Sequence, residues 1–103
     1  MKSIKLSVLD RLMLQQMLPQ QGSKIEMLLC DEIVKKVDFS PQEITDLGLK
    51  DEDGKVSWER SADKDFEFET AQVEMLKNAS RKADENKLVN RQNLQLIEKI
   101  DSL

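Results

Sequence analysis

The segment from Phe39 to Trp58 constrains the fold of this 103-residue chain more than any other part of it. Ser40-Pro41-Gln42-Glu43 is typical of a helix start, because the serine and the glutamate can each cap a backbone donor. Gly48 is typical of a helix end, and Asp53-Gly54 is a strong signal for a two-residue hairpin turn. We therefore predict a short helix over residues 41–47, followed directly by a β-hairpin.

Two amphipathic stretches precede this segment. The first is predicted to form a helix from Val8 to Leu18, capped by Ser7. The second begins at the capping-box sequence Ser23-Lys24-Ile25-Glu26. Its inward stripe is expected to contain five apolar residues at helical spacing, namely Ile25, Leu28, Leu29, Ile33 and Val37.

Three further elements are predicted after the hairpin. The alternation in Phe66-Glu67-Phe68-Glu69 indicates a short strand with both phenylalanines facing inward. Residues 71–84 are expected to form a fourth helix, capped by Thr70. A fifth is expected from Asn90 to about Ser102 and should pack antiparallel to the fourth.

These elements define an α+β fold with about five helices and a small antiparallel hairpin or three-strand sheet. The length predicts one domain over residues 1–103. Within it, residues 1–60 should hold three helices and the hairpin, and residues 61–103 a short strand and a helical hairpin.

Charge is distributed unevenly along the chain. Residues 38–69 contain 4 basic and 11 acidic groups, a net charge of −7, whereas the whole chain carries −4. A surface of this kind attracts basic partners and repels phosphate backbones.

The residue inventory disfavours catalysis and metal binding. The chain has no histidine, which is the commonest general base and metal ligand. Its one cysteine, Cys30, lies within a predicted helix, and Asp51-Glu52-Asp53-Gly54 lacks the ligand spacing of a calcium loop. We expect no catalytic residue, no metal and no cofactor. A lone cysteine, with no secretion signal and no membrane span, indicates the cytoplasm.

The order helix, helix, helix, hairpin is that of a winged helix, a DNA-binding shape. Its third helix would read the major groove, yet here it offers Gln42, Glu43, Thr45 and Asp46 and no basic residue. Affinity for DNA depends on cations that meet phosphates, so the sequence disfavours nucleic acid. A winged-helix-like regulator or a DNA mimic is the alternative function.

The leading prediction is a non-enzymatic intracellular protein-interaction module. Its acidic contact for a basic protein partner would be Asp51, Glu52 and Asp53. The first helix has an apolar arc too broad for a solvated helix. Met13, Leu14 and Met17 of this arc are the candidates for an apolar contact with a partner or with a second copy in a homodimer.

Several segments together resemble a loose group of small uncharacterised proteins of bacterial and phage (prophage) genomes. They are Leu18-Pro19, Phe39-Ser40-Pro41-Gln42-Glu43-Ile44, Gly54-Lys55-Val56-Ser57-Trp58 and the Phe66-Glu67-Phe68 run that enters a helix. The resemblance implies a bacterial or phage origin, and it implies no activity.

Overall fold

The computed structural model describes residues 2–103. The helices in this part of the chain are α1 (Val8–Met17), α2 (Lys24–Val37), α3 (Pro41–Leu47), α4 (Thr70–Glu85) and α5 (Leu94–Asp101). The strands are β1 (Lys2–Leu6), β2 (Lys50–Glu52), β3 (Lys55–Ser57) and β4 (Lys64–Phe68). The predicted α+β class, with five helices and small antiparallel strands, is confirmed.

Strand β1 was not predicted, and it changes the arrangement of the sheets. It pairs antiparallel with β4, so that Ile4 lies opposite Phe66. The hairpin β2–β3 forms a separate two-stranded sheet, and the three-strand alternative is therefore not what the chain adopts. The pairing joins the N-terminal strand to a segment about sixty positions further along the chain.

The core lies between the inner face of the β1–β4 sheet and helices α1, α2, α4 and α5. The sheet contributes Ile4, Leu6, Phe66 and Phe68, which are all buried as their period of two requires. The helices contribute Leu14, Ile33, Val37, Leu76, Leu96 and Ile100. Both phenylalanines of β4 face inward, as predicted.

The helix boundaries follow the capping signals closely. Complete capping boxes are present at Ser7 with Asp10, Ser23 with Glu26, and Ser40 with Glu43. Gly48 ends α3 in the left-handed conformation at φ 66°. The N-cap of α4 is Glu69 rather than Thr70, and the turn that starts at Asn90 becomes regular helix only at Leu94.

Helices α4 and α5 pack against each other. The Ser80 hydroxyl in the middle of α4 donates a hydrogen bond of 2.8 Å to Asp101 at the end of α5. A chain that turns back on itself after α4 brings these two positions together, as expected for an antiparallel helical pair.

Candidate functional surface

The β2–β3 hairpin lies at the surface with every residue of both strands exposed. Asp53 and Gly54 have φ angles of 51° and 80°, which is the signature of a type I′ turn. The turn matches the right-handed twist of the strands and needs no support from the core. The hairpin therefore presents its side chains to solvent.

Strand register divides the predicted acidic contact between the two faces of the hairpin. Asp51 lies opposite Val56, whereas Glu52 lies opposite Lys55. Glu52 therefore has a cation directly across from it, and Asp51 does not. Opposite charges across a strand pair attract. Trp58 is half-buried and directly follows the end of β3.

Exposed carboxylates follow one another along the chain from α3 through the hairpin into β4. They belong to Asp46, Asp51, Glu52, Asp53, Glu59, Asp63, Asp65 and Glu67. None of the four ion pairs within residues 2–103 uses any of these eight side chains. We refer to these residues as the acidic surface.

A buried arginine positions the segment that carries the acidic surface. Arg11 on α1 is 1% exposed, and its guanidinium forms two hydrogen bonds to the carboxylate of Glu43, at 2.7 and 3.2 Å. It also donates to the carbonyl oxygens of Val37 at 2.9 Å and Asp38 at 2.8 Å. Phe39 covers the guanidinium, with its ring centroid 3.8 Å away.

The hydrogen bond from Arg11 is the main cause that lowers the pKa of Glu43 from 4.5 to about 2. Glu43 also accepts the backbone amide of Ser40 at 3.1 Å in the capping box. One carboxylate therefore caps α3 and holds it against α1. Nothing in the sequence pattern singled out Arg11 for this role, because its partners lie 26 or more positions away.

The base of the hairpin is closed by a second set of contacts. The carbonyl oxygen of Leu47 accepts the amides of Glu59 and Arg60, at 2.9 and 3.0 Å. A Cβ atom at Gly48 would lie 3.0–3.2 Å from the side chain of Glu59. The chain that leaves the hairpin thus passes directly over the glycine that ends α3.

The apolar candidates on α1 are less accessible than the sequence suggested. Leu14 is 1% exposed and belongs to the core, so it is not part of an outer face. Met13 and Met17 are partly buried and pack against that core. The cause is that α4, α5 and β1 all contact α1 and cover its apolar arc. A partner contact through Met13 or Met17 stays a prediction.

Met17 lines a surface groove of about 660 Å³ between the end of α1, the start of α2 and α4. Leu29, Met75 and Leu88 contribute further apolar surface to the groove. Glu26, Glu74, Arg81 and Lys82 provide its charged groups. Acidic and basic groups both line it, so its charge selects neither kind of ligand.

At the start of α2, two residues are more exposed than the sequence predicted. Ile25 and Leu28 were predicted to face inward, yet they are 72% and 54% exposed. The inward side of α2 is instead taken by Cys30, Ile33 and Val37. Ile25 and Leu28 point away from this buried side of the helix, and they are available at the surface.

The carboxylates and the one cysteine are the potential metal ligands within residues 2–103. No cluster of three potential metal-ligating residues occurs there. Cys30 is buried, and burial is the main cause that raises the pKa of its thiol. Its sulfur lies 3.3 Å from that of Met75, which is a packing contact, and a thiol of raised pKa is a weak nucleophile.

Comparisons with protein-family models, with curated proteins and with solved structures found no match to this chain. Within residues 2–103, every helix is too short or too polar to cross a lipid bilayer.

Proposed function

We propose that this chain is a non-enzymatic protein-interaction module that binds a basic protein partner through the acidic surface. The observation that carries the proposal is the exposure of eight carboxylates that take part in no ion pair. Carboxylates in this state attract a cationic surface and accelerate encounter with it. The free cysteine agrees with the cytoplasmic location that we propose for the module.

The chemistry of the partner follows from the hairpin. Asp51 shares its face with Val56, and the partly exposed Trp58 directly follows β3, so that a carboxylate borders apolar surface. A matching partner segment would carry lysine or arginine next to apolar side chains. Tryptophan near the centre of such a contact commonly contributes much of the binding energy.

Trp58 provides the measurement, because it is the only tryptophan of the chain. A peptide of alternating lysine and leucine, added at low salt, should shift the fluorescence emission of Trp58. The affinity should fall as salt is added, since exposed charges are screened. Replacing Asp51, Glu52 and Asp53 together by lysine should abolish the shift.

A matched control is the replacement of Asp84, Glu85 and Glu98 by lysine. These residues are also exposed, and the change in net charge is identical. Binding that survives the hairpin replacement, or that is lost equally in the control, would show that the acidic surface does not select the partner.

A winged-helix-like regulator is the second candidate, and the order α1, α2, α3, β2, β3 favours it. The charges oppose it, because α3 carries no cation and its Glu43 is engaged by Arg11. Duplex DNA should therefore cause no gel shift at low salt. If the chain is a DNA mimic, it should instead displace DNA from a basic DNA-binding protein.

A further inference from the structure

The exposed apolar side chains of α2 lie beside an ordered set of charges. Lys24, Leu28 and Glu32 are spaced four residues apart, and all three are exposed. Side chains at this spacing form a continuous ridge on a helix. Ile25 lies beside the ridge and is the most exposed large apolar residue within residues 2–103. We refer to Lys24, Leu28 and Glu32 as the α2 ridge.

The two charged ends of the ridge have no ion-pair partner among the described residues. Asp31, on the neighbouring turn, is already paired with Lys35 at 2.9 Å, whereas Lys24 and Glu32 occur in none of the four ion pairs. The one polar contact of Glu32 is a hydrogen bond of 3.5 Å from the Gln72 amide, which is at the limit of that interaction. The ridge is therefore positive at one end, apolar in the middle and negative at the other end.

Two copies of the α2 ridge are complementary when they run in opposite directions. When two α2 helices meet antiparallel with Leu28 against Leu28, Lys24 of each copy faces Glu32 of the other. A parallel arrangement would instead oppose Lys24 to Lys24 and Glu32 to Glu32. Ridges at four-residue spacing pack beside one another in the commonest class of helix contact. The same surface then serves on both copies, as a two-fold interface requires.

We propose that a second copy of this chain covers the exposed start of α2, in an antiparallel two-fold contact between α2 helices centred on Leu28. The contact removes Ile25 and Leu28 from water and satisfies both charged ends of the ridge. It moves the expected homodimer surface from α1, whose Leu14 belongs to the core, to α2. It shares no residue with the acidic surface, so it stands or falls independently of the proposed function.

Sedimentation equilibrium over a concentration series tests the contact with four chains. Wild type should self-associate, and Ile25→Ser/Leu28→Ser should be monomeric. Its melting temperature should match that of wild type at a concentration low enough to keep wild type monomeric. Lys24→Glu makes both ends of the ridge negative and should raise the dimer dissociation constant about tenfold, because two exposed pairs change from attraction to repulsion. Lys24→Glu/Glu32→Lys reverses the ridge and should restore wild-type affinity.

A mixing experiment adds a control on charge alone. Glu32→Lys makes both ends of the ridge positive, so it should also self-associate weakly, but an equimolar mixture with Lys24→Glu should dimerise as well as wild type. A chain with Asp51, Glu52 and Asp53 replaced by lysine should retain the dimer, which separates this contact from partner binding.

Two outcomes would overturn the proposal. The first is a wild-type chain that stays monomeric up to about 1 mM, the weak limit of specific association. The second is a dimer whose affinity the charge reversal does not restore, because the copies would then meet in another orientation or through another surface.

Discussion

Leu14 and Leu28 occupy similar positions in two amphipathic helices, yet their environments are opposite. Leu14 on α1 is 1% exposed, and Leu28 on α2 is 54% exposed. The sequence pattern assigned them the other way round, with Leu14 at a partner surface and Leu28 in the core. The width of an apolar arc therefore does not decide which helix is covered. The packing of distant elements decides it, and α1 is covered because α4, α5 and β1 contact it.

The largest expected effect comes from a residue of the β1–β4 sheet that lies in the same core as Leu14. Phe68→Ala deletes a fully buried ring from β4, and such deletions cost about 4 kcal/mol in the free energy of unfolding. Val56→Ala in the exposed β3 strand is the matched control and should change it by less than about 0.5 kcal/mol. Urea denaturation measures both. Equal losses would mean that the two sheets contribute alike to the core.

The comparison itself is tested by the two leucines. Leu14→Ala should lower the free energy of unfolding by about 3 kcal/mol, because it leaves a cavity in the core. Leu28→Ala should change it by less than about 0.5 kcal/mol, measured at a concentration low enough to keep the chain monomeric. A large loss at Leu28 in the monomer would contradict the position of α2 described above.

A smaller loss of stability is expected when Glu43, which joins the start of α3 to Arg11 on α1, is replaced. Glu43→Gln should destabilise the chain by about 2 kcal/mol at pH 6, below the range for fully buried pairs because the Glu43 side chain is 25% exposed. The remaining Arg11 charge would keep the two carbonyl acceptors at Val37 and Asp38. Glu52→Gln, at an exposed carboxylate, is the control and should have almost no effect.

The same pair predicts a pH dependence of stability. The pKa of Glu43 is lowered in the folded state from 4.5 to about 2. The stabilisation that ionised Glu43 provides is therefore fully present above pH 4.5, and it is lost as the pH falls from 4.5 to about 2. Urea midpoints at pH 6 and pH 3 should show that the advantage of wild type over Glu43→Gln shrinks in acid. An advantage that stays constant would mean that Glu43 does not titrate with a lowered pKa.

Local signals in the sequence predicted most of the helix ends and the turn. The capping boxes at Ser23 and Ser40, the stop at Gly48 and the Asp53-Gly54 turn all involve residues within a few positions of one another. Their hydrogen bonds close inside one turn of backbone, so the surrounding fold hardly affects them.

The parts that were missed depend on contacts between distant residues. Lys2-Ser3-Ile4-Lys5-Leu6 does alternate polar and apolar residues, and that alternation was the available signal for β1. Its partner β4 lies about sixty positions further along the chain, and no local sequence pattern indicates that the two strands pair. The role of Arg11 is similar, because the acceptors of its guanidinium all lie 26 or more positions away along the chain. The exposure of Ile25 and Leu28 was missed because the side of α2 that is covered depends on packing against the distant helix α4.

Gly48 and Gly54 differ in how much natural variation each position can accept. At Gly54 the backbone has positive φ but nothing lies within 4 Å of an added Cβ, so asparagine or aspartate could replace it as they do in many hairpin turns. At Gly48 the backbone also has positive φ, and the side chain of Glu59 crowds an added Cβ. Any other residue at position 48 would have to adopt the positive φ and displace Glu59 as well. Among diverging descendants of this chain, position 48 should remain glycine long after position 54 has drifted.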